Sequence, residues 1–126
     1  MITGTVTPDG GEAMIALHLV SPGRGGRSTD ARAVIDTGFT DWLTLPPDVV
    51  RYLELPLRGS ADVMLADGSV AALRIYRVGL VWHGRHLQAR AYEAPGGPLI
   101  GMGLLRGSRL EIDVVPGGSV VVEELS

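Results

Sequence analysis

The sequence contains no cysteine, so disulfides and thiolate metal sites are excluded. Only three histidines are present, His18, His83 and His86. The last two flank a turn with no third ligand beside them, and they read as exposed turn residues rather than a metal site. Aromatic residues make up 5% of the chain; Trp42 and Trp82 read as core or interface, not as a ligand cage. No Gly-x-Ser-x-Gly occurs, which removes the serine-hydrolase elbow. Positive charge is not in excess either. The formal net charge is −3, which gives no general attraction to nucleic acid or anionic lipid. No apolar run approaches the ~18 residues needed to span a bilayer. Met1-Ile2-Thr3-Gly4 lacks the basic and apolar regions of a signal peptide. Together these absences predict a cytoplasmic protein with no metal, no cofactor, and neither a nucleic-acid nor a membrane partner.

What is present fits one folded domain over residues 1–126: 45% apolar and 20% charged residues in a chain of 126. The 18 glycines and 8 prolines punctuate short apolar runs and so predict many turns. Ile2 to Thr7 reads as a first strand closed by Pro8-Asp9-Gly10-Gly11. In Glu12 to Val20, Met14, Ala16 and His18 alternate with Ile15, Leu17 and Leu19, a period of two that predicts a second strand. Ser21 to Ser28, with Arg24 and Arg27 among glycines, has the makings of a phosphate cradle. It lacks the Lys-Ser/Thr and helix of a P-loop and reads as a solvated hairpin loop. Thr29 to Ile35 is a strand. Pro46-Pro47-Asp48 opens a helix of one or two turns that Pro56 stops.

Val63 to Leu73 folds about Asp67-Gly68, a strong hairpin signal. The chain stays extended to Trp82 and returns from His86 to Tyr92. Leu99-Ile100-Gly101 leads into a short helix through Ser108, and Leu110 to Val115 pairs with Val120 to Leu125. The spacing predicts a mostly β chain, a sandwich or closed barrel, with one or two short helices.

The stretch Ala33-Val34-Ile35-Asp36-Thr37-Gly38-Phe39-Thr40 carries the chemistry. Ala33 to Ile35 read as a buried strand, and Gly38 predicts a turn whose dihedral is closed to other residues. Asp36 is thereby held at the end of a rigid element. The plain alternative is an Asx turn in which Asp36 caps backbone amides of a structural barrel. An isolated aspartate titrates near ~3.9 and is a feeble base at neutral pH. Two carboxylates about 3 Å apart share a proton instead, so that one activates water while the other protonates the substrate carbonyl. The chain has a single Asp-Thr-Gly. Such chemistry therefore requires a second, identical chain across a two-fold axis.

These residues resemble the retropepsin-like aspartic proteases, in particular their small prokaryotic members, over roughly residues 2 to 125. Val34-Ile35-Asp36-Thr37-Gly38 is similar to the active-site loop. The hairpin from Met64 to Leu73 stands where the family has its flap, and Leu99-Ile100-Gly101 with Met102 to Leu105 resembles the motif and helix beneath the loop. The resemblance implies a closed acid-protease barrel and a homodimeric endopeptidase acting on extended peptides. Asp36 is then the catalytic carboxylate, Thr37 braces the two loops across the axis, and Gly38 offers its carbonyl to peptide. Phe39, Thr40, Ala66, Asp67, Gly68, Ser69 and Ile100 line or support the substrate cleft. The terminal strands, Ile2 to Val6 and Val120 to Leu125, are expected to present unpaired edges for dimerisation.

Four departures from the family pattern stand out. Phe39 replaces a small residue and is expected to narrow a pocket. Thr40 and Met102 replace an Asp and Arg that pair. Gly103 replaces an Asn or Asp, which predicts a less firmly held helix start. The alternative function is a peptide-binding or dimerisation module on the same fold with little turnover.

Overall fold

Short alternating segments separated by Gly and Pro become strands nearly everywhere the sequence predicts them. The computed structural model describes residues 1–23, 26–65 and 67–126. Ten strands and two short helices follow one another: β1 Ile2–Val6, β2 Ala13–Val20, β3 Ser28–Ile35, β4 Leu43–Leu45, α1 Pro47–Leu53, β5 Leu57–Met64, β6 Val70–Trp82, β7 Arg85–Glu93, β8 Leu99–Ile100, α2 Met102–Leu105, β9 Ser108–Ile112 and β10 Ser119–Glu124. No described helix is long and apolar enough to cross a membrane.

The sheet runs β5-β6-β7-β4-β8-β3-β2-β1-β10-β9, and β2 also pairs with β6 through Leu19–Leu80 and Val20–Gly79. That extra pairing joins β2, β3, β8, β4, β7 and β6 into a closed six-stranded barrel. The inward residues of its strands form the core, with Leu19, Leu43, Leu45, Val78, Ala91 and Ile100 fully buried. Val120 and Val122 extend the core beneath β10. In α1, Pro47 begins the helix, Asp48 lies in the first turn, and Val50 and Leu53 face inward.

Strand β8 decides the geometry of the site. It lies between β3, to which it is parallel, and β4, to which it is antiparallel. Val34 and Ile35 pair with Leu99 and Ile100, which pair in turn with Thr44 and Leu43. The loop from Asp36 to Trp42 thus arches over the two-residue strand between its own flanking strands. Thr44, the buried polar residue here, accepts the Leu99 N–H on Oγ1 at 3.1 Å.

Three expectations are corrected. The terminal strands do not present unpaired edges: β1 pairs with β10 through Ile2–Val122 to Thr5–Ser119 and with β2 through Gly4 to Val6, while β10 also pairs with β9. The outermost strands are β5 and β9. The second helix ends at Leu105 rather than Ser108, because Arg106 turns extended and Gly107 takes a φ of 82°, sending the chain into β9. The hairpin strand before Asp67 starts at Leu57, immediately after Pro56.

Candidate active site

Strand β3 ends at Ile35 and hands Asp36 to the loop. The Asp36 N–H donates to the Ile100 carbonyl at 2.9 Å, and the Phe39 N–H donates to the Asp36 carbonyl at 3.1 Å. The Gly38 N–H donates to Asp36 Oδ1 at 2.9 Å, closing an Asx turn that holds the carboxylate in place. Asp36 Oδ2 accepts no hydrogen bond from the described residues. Turn-capping therefore occupies one carboxylate oxygen and leaves the other open among the described residues. Asp36 is half-buried, and Thr37 and Gly38 are exposed at the apex. Gly38 does not adopt the left-handed dihedral expected of it. A Cβ there would stand 3.3 Å from Asp36 Oδ1, so any other residue would require the carboxylate to shift by a few tenths of an ångström.

The first turn of α2 fastens the loop from below. Helix N-termini leave backbone N–H groups without intrahelical partners. Here the Met102 N–H donates to the Phe39 carbonyl at 2.8 Å and the Gly103 N–H to the Asp41 carbonyl at 3.0 Å. The Gly101 N–H donates to the Trp42 carbonyl at 2.9 Å. Contact is close enough to demand glycine twice. A Cβ on Gly103 would lie 2.6 Å from Trp42 Cδ1 and 2.9 Å from the Asp41 carbonyl carbon, and one on Gly101 would lie 2.5 Å from Phe39 Cδ2. The expectation of a loosely held helix start is thereby corrected. No side chain caps α2, but loop carbonyls occupy the place a capping Asn or Asp would take.

A cavity of about 360 Å³ separates the loop from β5. Gly38, Phe39, Thr40 and Asp41 form one wall; Asp62, Val63 and Met64 form the other, with Tyr92 beside them. Phe39 leaves this space open. Its ring packs edge-on against Tyr92, with centroids 6.1 Å apart and planes at 80°. The Tyr92 hydroxyl donates to Asp41 Oδ2 at 2.6 Å. The Arg90 guanidinium donates to the Tyr92 hydroxyl at 3.2 Å and lies 3.5 Å from the same carboxylate oxygen. The hydrogen bond to Asp41, followed by burial, holds the Tyr92 phenol above its ordinary range. Asp41, one position beyond Thr40, thus supplies a paired carboxylate although Thr40 and Met102 carry no charge.

Of the residues picked from sequence, the structure brings Phe39 and Thr40 together with Gly38 around the cavity. Ile100 is fully buried; it supports the floor through its carbonyl and does not line the cleft. Asp67, Gly68 and Ser69 sit exposed at the hairpin tip, outside the lining of the cavity. There the Ser69 hydroxyl and N–H both donate to Asp67 Oδ1, at 2.6 and 2.9 Å. These bonds, the hydroxyl first, hold the Asp67 carboxyl below its usual range. Ala66 lies outside the described residues, as does Arg24 of the candidate phosphate loop. Arg27 of that loop is engaged with Tyr52, donating to its carbonyl at 3.2 Å and stacking 5.4 Å from its ring.

Asp41, Asp62, Val63, Arg90 and Tyr92 were not legible as site residues, and Met64 was legible only as the first residue of the expected flap hairpin. The alternation of β5 was the only signal for Asp62 and Val63. Among the described residues no cluster of His, Cys, Asp and Glu suits a metal.

No protein-family model matches the sequence, and no curated protein matches it. Solved structures share its fold, two retropepsin-type proteases among them. EIAV protease, complexed with the inhibitor HBY-793, superposes with a TM-score of 0.58 at 16% identity, covering 75% of this chain and 86% of its own. A retropepsin-like aspartic protease from Rickettsia conorii gives a TM-score of 0.57 at 17% identity, covering 98% of this chain and 92% of its own. The fold is retropepsin-like.

Proposed function

We propose that this retropepsin-like chain is, over residues 1–126, an aspartic endopeptidase that works as a homodimer. Each protomer contributes one Asp36, and the two carboxylates share a proton. One carboxylate takes a proton from water as the water attacks the scissile carbonyl. The other protonates the carbonyl oxygen, and the tetrahedral intermediate collapses as the leaving amine gains a proton. No covalent enzyme intermediate forms, and no metal or cofactor takes part. In this reading Thr37 braces the loops across the axis, Gly38 faces bound peptide, and the β5–β6 hairpin closes over substrate as a flap. The setting is cytoplasmic.

The observation that carries the reading is the disposition of Asp36: a strand-end carboxylate, one oxygen fixed by Gly38 and the other unengaged within the described chain, on a loop whose next residues, Gly38 to Asp41, line an open cavity that Asp36 itself does not line. The exposed apex, with Thr37, Gly38 and the 48% exposed Met102 close by, suits a facing copy. A peptide library assayed between pH 4 and 7 tests this. Wild type is expected to cleave, Asp36→Asn to lose all measurable turnover, and an aspartic-protease transition-state mimic to inhibit. Equal, inhibitor-insensitive rates for the two proteins would refute the proposal.

One observation favours a second reading, a peptide-binding module with little turnover. Both terminal strands are already paired within the chain, so they leave less edge for a tight dimer. Cleavage by wild type separates the two.

A further inference from the structure

A second cavity, of about 480 Å³, opens on the outer part of the β5-β6-β7 sheet, and its polar lining is Arg58, Arg77, Gln88 and Arg90. Register explains the convergence. Ile75, Arg77 and Gly79 of β6 lie opposite Tyr92, Arg90 and Gln88 of β7, and alternation puts all three pairs on one face. Two guanidiniums are thus direct cross-strand partners, an arrangement that is destabilising on its own. The third arrives through a β-bulge. The register slips between Leu57 and Gly59, Gly59 takes a φ of 149°, and Arg58 is the displaced residue. Bulges of this kind re-aim side chains next to functional sites.

Three cations therefore gather in a chain whose net charge is −3. Among the described residues, no carboxylate lies within ion-pairing distance of Arg58 or Arg77; Arg90 alone has one, Asp41 at 3.5 Å. Such a face is relieved by an anion, and planar guanidinium forks match the two oxygens of a carboxylate or phosphate. Arg90 also ties the face to the cleft. Its guanidinium carbon is 5.8 Å from the Tyr92 ring centre, which is 6.1 Å from the Phe39 ring, and both rings belong to residues that line the cleft cavity. An extended peptide advances about 3.3 Å per residue and can reach both places.

We infer that the Arg58–Arg77–Arg90 face is an exosite that takes the carboxylate of an Asp or Glu on a peptide held in the neighbouring cleft. This rests on the peptide-binding part of the function proposed above, but not on turnover. The test is fluorescence anisotropy with the full chain carrying Asp36→Asn. The probes are labelled peptides scanned with Asp or Glu at each position, matched to their Asn or Gln counterparts. Acidic peptides at one register are expected to bind about tenfold more tightly than their amides. The advantage should shrink with salt and vanish when Arg77→Gln or Arg58→Gln is added. Loss of one of two facing like charges should leave the Arg77→Gln melting temperature equal or higher, so the variant remains a folded control.

Equal affinities for acid and amide peptides, an advantage that survives both arginine substitutions, or no peptide binding at all would overturn the inference. Inorganic phosphate distinguishes the source of the anion. If millimolar phosphate raises the melting temperature of the parent but not of Arg77→Gln, while acidic peptides show no preference, the site serves a free anion and the peptide assignment is wrong. Cleavage by wild type is scored separately, so a chain that binds without cutting would sink the protease reading and leave this one standing.

Discussion

Asp36, Tyr92 and Gly103 show three ways in which single residues hold this site. Asp36 is fixed by its neighbours' amides, and Tyr92 ties the far end of the loop to the barrel through Asp41. Removing that hydroxyl in Tyr92→Phe should lower stability at neutral pH by about 1–3 kcal/mol, as for a hydrogen bond to a charged group. The sign of its pH dependence follows from the raised phenol. The contribution is fully present below the unfolded tyrosine value near ~10 and is lost as pH rises through the higher folded value. Urea titrations of wild type should therefore weaken on the alkaline side, and Tyr92→Phe should flatten that limb. Unchanged profiles would deny Tyr92 its anchoring role. Gly103 acts by absence. Gly103→Ala puts a methyl 2.6 Å from Trp42, and the strain should cost about 1–3 kcal/mol of unfolding free energy. An unaltered midpoint would show that the loop can retreat freely.

Among the elements, β8 and α2 hold the Asp36 loop mainly through backbone groups, and the hairpins behave as the sequence predicts. The Asp67-Gly68 turn and the period-two stretch in β2 were legible because turn chemistry and alternation are local. The start of β5 was not. Leu57-Arg58-Gly59-Ser60 is exposed throughout and bulged, so it carries no apolar rhythm to read. Nor was the pairing of β1 with β10, which joins residues about 120 positions apart. Apolar terminal strands look the same in sequence whether a partner chain or their own chain covers them. The contact between Tyr92 and Asp41, 51 residues apart, has no local signature either.

The turn at β7 is tied to the last strand by an ion pair between Arg85 and Glu124. Its hydrogen bond holds the Glu124 carboxyl below its ordinary range. A depressed carboxyl contributes stability above the unfolded value near ~4.3, and that stability is lost as pH falls through the folded value. Glu124→Gln is therefore expected to be slightly less stable at pH 7 and less acid-sensitive below about pH 4.5. A steeper acid limb in the variant's denaturation midpoints would contradict this.

For the molecule as a whole, the barrel closes through β2–β6 and the core is continuous; the proposed function adds one requirement, a second carboxylate for Asp36. Its supply by a second copy is tested by subunit mixing. Wild type is equilibrated with increasing Asp36→Asn at fixed total protein, and peptide cleavage is followed. If both carboxylates of a dimer are required, activity falls as the square of the wild-type fraction, so an equal mixture retains about a quarter of the rate. A straight-line decline, with half the rate at equal mixture, would mean that each chain acts alone and would contradict the shared site.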